Sequence, residues 1–250
     1  MDTAMKRIDL NCDLGEGAGH DAELMPLITS ANIACGAHAG DRSTMIETVK
    51  LALAHGVAIG AHPGYFDLEN FGRRERSITP EEAARIVVMQ VEQLSEIAGA
   101  KLRHVKLHGA LYNQVSADAA LAEGVATELA RLWPNLILYA LSGSVLTRSA
   151  RVRGLRVAEE VFADRTYQRE GQLTQRSQPN ALITDESVAV AQVMRMVQQG
   201  VVRATEGSDW PIRADTVCVH GDGVHAVAFA RRLRDELTAA GVVLRAAASH

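Results

Sequence analysis

The chain has 250 residues, 47% of them apolar and 22% charged, with a formal charge of -4. That much apolar material excludes a disordered chain. The acidic balance and the 4% aromatic content argue against a general nucleic-acid binder, an anionic-membrane binder and a base-stacking platform. The cysteines, Cys12, Cys35 and Cys218, are odd in number and widely spaced. They make a poor disulfide framework and a poor structural zinc site, and they fit a reducing cytosol. The start, MDTAMKRIDLNCD, lacks a signal-peptide core, and no apolar run reaches membrane-spanning length. A soluble cytoplasmic protein is expected.

Short apolar segments alternate with amphipathic ones from end to end. Strands are predicted over 7–11 (RIDLN) and 31–35 (ANIAC), followed by a helix over 42–55 capped by Asp41 and ended by Gly56. A strand over 57–61 leads, after a long polar stretch, to the clearest helix, 80–98. Thr79 and Glu82 form a capping-box pattern there, Pro80 opens the helix, and Gly99 stops it. Ala83, Ile86, Val87, Val91, Leu94 and Ala98 fall on one face. Next come a strand over 104–107, a helix over 117–132 capped by Ser116, and strands over 136–141 and 155–161. A helix over 186–199 capped by Asp185, a strand over 216–220 and a helix over 224–240 complete the chain. Such β-α repeats imply a parallel sheet with right-handed crossovers. The expected fold class is α/β: a single domain over 1–250, forming a distorted, about seven-stranded, TIM-like (β/α) barrel. An open doubly wound sheet is the alternative, but no G-x-G-x-x-G follows the first strand. The polar stretches 62–78 and 162–184 have the length of lids or binding loops.

Reactive residue types track the predicted strand ends. Asp13 and Glu16 close the first unit (NCDLGEG), where a carboxylate activates water, holds a cation or caps a turn. His38 follows the second strand in SANIACGAHAGD. His62 precedes Pro63, which biases it to extended backbone and suits a ligand or a general base. Arg73 and Arg74 can clamp a carboxylate or phosphate. Lys106 and His108 share a strand face, and a lysine in an apolar strand needs a partner. Tyr112 and Asn113 add hydrogen-bonding groups. Glu159, Glu160, Asp164 and Arg165 crowd the sixth unit, and His220 and Asp222 flank Gly221 in the seventh. Each fragment has an ordinary reading as cap, turn or solvated surface. Their joint recurrence points to one mouth at the C-terminal end of the sheet.

The blocks LNCDLGEG, SANIACGAHAGD, GAHPGY, FGRR, HGALYN, EVFADRTY and CVHGD resemble the LamB/YcsF family over essentially the whole chain. The resemblance implies a barrel of the glycoside hydrolase/deacetylase type. It implies hydrolysis of 5-oxoproline to glutamate, coupled to ATP cleavage, in a complex with 5-oxoprolinase subunits B and C. The implicated positions are Asp13, His38, His62, Lys106, His108, Glu159, Asp164, His220 and Asp222. Leu107 stands where proline is frequent and Asn70 where glycine is frequent, differences that bear on loop shape.

No G-x-x-x-x-G-K-[ST] loop is present, so ATP is expected to bind mainly on the partner subunits. This chain would then open the ring of a phosphorylated lactam. Asp13 is the expected base, relayed through His62, with Lys106 and His108 stabilising negative charge. Glu16, His38, Arg73, Asn113, Glu159, Asp164, Arg165, His220 and Asp222 are expected around the substrate. A divalent metal is left open. Three other readings stay open: a stand-alone metal-dependent deacetylase using Asp13, His62 and His108, a small-acid-binding subunit without catalysis, and a cysteine hydrolase built on Cys12 or Cys35.

Overall fold

The computed structural model describes residues 6–221, 223 and 225–247. Its elements are β1 (Arg7–Leu14), α1 (Asp21–Leu24), β2 (Ser30–Ala34), α2 (Arg42–His55), β3 (Ala58–His62) and α3 (Pro80–Ala98). There follow β4 (Leu102–Lys106), α4 (Gly109–Ala117), α5 (Ala119–Leu132), β5 (Ile137–Leu141), α6 (Val145–Val152) and β6 (Arg156–Phe162). The chain then forms α7 (Glu186–Gln199), β7 (Val201–Arg203), β8 (Asp209–Pro211), β9 (Thr216–Val219), α8 (Ala226–Ala239) and β10 (Val243–Leu244). Strands β1 to β6 pair in order, all parallel, and β9 closes the ring between β6 and β1. The result is the expected α/β barrel of seven strands. The short β10 pairs with the base of β1 through Arg7 and Ile8. β7 and β8 form a separate antiparallel hairpin.

Helix caps explain where the barrel's outer layer starts and stops. The Thr79 hydroxyl accepts from the Glu82 amide, and the Glu82 carboxylate accepts from the Thr79 amide. The buried side of α3, including Val87, Val91 and Leu94, then packs on the strands. Asp41 and Asp185 cap α2 and α7 as expected. Ser116 does not cap: it is buried inside α4, and Asp118 accepts from the Ala120 and Leu121 amides to start α5. α4 and α6 are too short to leave a clear apolar period in the sequence.

The strands alternate between two environments. One set, Leu10, Ile33, Ile59, Val105, Leu138, Val161 and Val217, joins the apolar core. The other set meets across the barrel, and there it is polar: Asp9, Asn11, Asp13, Ser30, Asn32, His104, Lys106, Glu160 and Thr216 are all buried. Branched apolar residues usually fill a barrel interior. Here hydrogen bonds do so, because a buried polar group without a partner costs free energy. Asn11 Nδ2 donates to Glu160 Oε1 at 3.0 Å and to Thr216 at 2.7 Å, and Asn32 Nδ2 donates to Asn11 at 2.8 Å. His104 Nε2 lies 2.8 Å from the side-chain oxygen Asn32 Oδ1.

Gly60 makes room for that column. A Cβ built there would sit 2.0 Å from His104 Nε2. Gly60→Ala should therefore destabilise the protein by about 1–3 kcal/mol, the usual cost of overpacking. Urea denaturation checks this, and an unchanged midpoint would show that the ring is not packed against β3.

Candidate active site

The C-terminal ends of the strands open into a cavity of about 1050 Å³. Asp13, His62, Lys106 and His108 come together in its wall, with Glu16, Arg73, Asn113, Arg165 and His220. Asp13 is the last inward residue of β1, His62 ends β3, Lys106 ends β4 and His108 precedes α4. Three separate stretches of chain, β1, β3 and the end of β4, thus deliver their reactive atoms to one place.

Lys106 is 2% exposed, and its position is overdetermined. Its Nζ lies 2.8 Å from Asp13 Oδ1, 3.0 Å from Glu160 Oε1, 3.2 Å from Asn11 Oδ1 and 2.9 Å from Cys218 Sγ. Burial pulls the ammonium down, but Asp13 and Glu160 outweigh it and hold the group well above its ordinary range. Asp13 also accepts from Asn32 at 2.8 Å, and its other oxygen lies 3.3 Å from His62 Nε2. Burial pushes this carboxyl up, while His62 and Lys106 hold it well below the usual carboxylate range. A fixed anion and a fixed cation therefore meet at the cavity floor.

Three imidazoles gather around Glu16. Its Oε1 lies 3.0 Å from His38 Nε2, 3.4 Å from His108 Nδ1 and 3.8 Å from His62 Nε2. The His38 and His108 rings stack at 3.7 Å. Burial lowers both, His38 to about 3 and His108 well below its ordinary value. Glu16, His38, His62 and His108 each place one ligand atom within 4.8 Å of the others, so this set is able to hold a metal ion. Asp13, Cys218 and His220 form a second such group.

Some expected contacts are placed differently. Glu159 is not in the cavity wall. Adjacent strand residues face opposite sides, so Glu160 points inward and Glu159 outward. There Glu159 accepts from Ser142, the Gly143 amide and Arg151, tying β6 to the start of α6. His38 lies behind His108 rather than in the wall, and Asp164 is engaged by His220 Nδ1 at 2.8 Å. Asp222 lies outside the described residues. Cys12 and Cys218 are buried with thiols pushed well up by burial, and Cys35 is pushed up to about 12, so none offers a thiolate at neutral pH. The loop after β6 contributes Arg176, whose guanidinium donates to His220 Nε2 at 3.0 Å. Sequence reasoning missed Arg176 and Arg148 among many arginines. It missed Asn11, Asn32 and His104 too, although the spacing Asp9-x-Asn11-x-Asp13 already places three polar groups on one strand face.

A closed parallel barrel with carboxylate, ammonium and imidazole groups at its C-terminal mouth is the arrangement that (β/α)-barrel enzymes use for chemistry. The chain belongs to the LamB/YcsF family, whose profile matches residues 8–250. It is 53% identical over 250 residues to a Brevibacillus brevis protein named as the A-subunit of 5-oxoprolinase, covering 97% of this chain and 98% of that one. A Shouchella clausii protein of the same name is 54% identical, covering 97% and 99%. The crystal structure of the lactam utilization protein from Thermus thermophilus superposes with a TM-score of 0.89 at 45% identity, covering 96% of this chain and 100% of that one. The peptidoglycan deacetylase PdaC from Bacillus subtilis shares the fold alone, with a TM-score of 0.52 at 13% identity over 98% of this chain and 89% of that one. Among the described residues no helix is long and apolar enough to cross a membrane.

Proposed function

We propose that this chain is the ring-opening component of a cytoplasmic, ATP-dependent 5-oxoprolinase that works with subunits B and C. The observation that carries the reading is the Asp13–Lys106 pair, fixed at 2.8 Å in the cavity of a chain more than half identical to proteins named for that enzyme. A lactam is a poor electrophile, and transfer of the ATP γ-phosphoryl group to its oxygen, on the partner subunits, makes the ring carbon reactive. Water then adds to that carbon and the ring C–N bond breaks, with the nitrogen leaving as the amine. A second water cleaves the resulting acyl phosphate to glutamate and phosphate.

In this reading Asp13 orients the attacking water and accepts its proton. The Lys106 ammonium stabilises negative charge on the tetrahedral intermediate. Arg165, 3% exposed in the wall, and Arg73 at the rim then hold the substrate carboxylate or the phosphoryl group. The test is ATP-dependent glutamate formation from 5-oxoproline with purified subunits, leaving out each in turn. Loss of product whenever this chain is omitted is expected, and an undiminished rate without it would end the reading. Deacetylation of a carbohydrate by this chain alone would favour a stand-alone hydrolase instead.

A further inference from the structure

We infer that Glu16, His38, His62 and His108 form a binding site for a single divalent transition-metal ion, with zinc the best match. Two hydrogen bonds at this cluster have a direction that is not open to choice. His62 Nδ1 lies 2.8 Å from the Lys106 carbonyl oxygen, and His108 Nε2 lies 2.9 Å from the Phe71 carbonyl oxygen. A carbonyl only accepts, so each of those nitrogens carries the proton. With both rings uncharged, the remaining nitrogens, His62 Nε2 and His108 Nδ1, both present lone pairs. They face each other at 2.9 Å. Two lone pairs at that distance repel unless a cation sits against them.

The surroundings match a ligand set. Metal-binding histidines almost always donate their second ring N–H to a carbonyl or carboxylate, which fixes tautomer and ring orientation. Both rings do so here. The Phe71 carbonyl is aimed by a strained residue: Phe71 has φ 54°, a region that non-glycine residues seldom occupy and that recurs at functional sites. Gly72, at φ 63°, leaves the space the rings fill, since a Cβ there would lie 2.8 Å from His38 Cβ and 3.1 Å from His108 Cδ2. Tetrahedral ligand atoms about 2.0–2.1 Å from one ion lie roughly 3.3 Å apart. The spacings of Glu16 Oε1 to the three imidazole nitrogens, 3.0, 3.4 and 3.8 Å, bracket that value.

The donor types select the ion. Three imidazoles and one carboxylate suit Zn²⁺ and its neighbours in the first transition row, whereas Mg²⁺ and Ca²⁺ prefer oxygen donors. Glu16, His62 and His108 border the cavity while His38 closes the site from behind. His62 is then a metal-holding residue rather than a proton relay, and Asp13 beside it remains the base. The site binds metal whether or not the substrate is a lactam.

The competing explanation is a proton shared between His62 and His108. Full-length protein, stripped with chelator and dialysed free of it, is titrated with ZnCl₂ by calorimetry and with CoCl₂ by visible absorption. Saturation at about one equivalent, with intense tetrahedral cobalt bands, is expected. His62→Gln and His108→Gln should each weaken zinc binding by about tenfold or more, with circular dichroism confirming the fold. If either variant fails to fold, the wild-type titration still decides. Wild-type protein that takes up no zinc, or folded variants that bind it as tightly as wild type, would overturn the site and leave the shared proton.

Discussion

Asp13→Asn should lower ATP-dependent glutamate formation by about 10²–10⁴-fold while leaving the fold intact. That range is the usual contribution of a positioned acid–base group. The substitution keeps the side chain's shape and one carbonyl oxygen, so the contacts with Lys106 Nζ and Asn32 Nδ2, both 2.8 Å, can persist. Lys106 also keeps Glu160 at 3.0 Å as a counter-charge. What disappears is the anion that accepts the proton of the attacking water. If the chain only captured a small acid for its partners, affinity and turnover would fall together. A catalytic Asp13 predicts that the 5-oxoproline KM stays within a few-fold of wild type while kcat falls. Wild-type-like turnover in the reassembled complex would remove Asp13 from the chemistry.

The pH dependence adds a second check on Asp13. Its folded-state pKa is held well below the ordinary carboxylate value despite burial. A depressed carboxyl contributes stability above its unfolded pKa and loses it as pH falls through the folded value. Asp13 is therefore ionised throughout the neutral range, and an acid limb of the rate above pH 5 belongs to another group.

The barrel was legible because its strands are short apolar runs that end in polar residues, and because the caps at Thr79, Asp41 and Asp185 are local features. The mouth was legible for the same reason: Asp13, His62, Lys106 and His108 each sit at or just past a strand end. The interior was not. Asn32 and His104 read as isolated interruptions, since their partners are strands away and only ring closure brings them together. Glu159 and Glu160 make the same point. Neighbouring carboxylates on one strand face opposite sides, and which of them points inward is decided by register with β5 and β9. The orientation of the His62 and His108 rings was equally hidden, because the acceptors of their second ring bonds are backbone carbonyls of Lys106 and Phe71, which carry no side-chain signature.

Lys106→Met should cost about 3–5 kcal/mol of stability at pH 7, the range found when one partner of a buried ion pair is removed. Methionine fills similar volume, so cavity formation contributes little. The loss comes instead from Asp13 and Glu160, 7% and 0% exposed, which would be left without their ammonium. Two observations separate this from simple misfolding. Adding Asp13→Asn and Glu160→Gln to Lys106→Met should restore part of the lost stability, because neutral groups at those positions no longer need a counter-charge. The slope of stability against pH on the acid side should also weaken. In the wild type, Asp13 contributes stability that is lost as pH falls through its depressed folded pKa. In the variant, Asp13 loses the Lys106 contribution but keeps that of His62, so its folded pKa rises toward the unfolded value and less stability is lost as pH falls. Urea denaturation between about pH 2 and pH 8 measures both effects. A single variant as stable as wild type at pH 7 would mean that the ammonium does not hold the two carboxylates, and the floor of the cavity would have to be explained in another way.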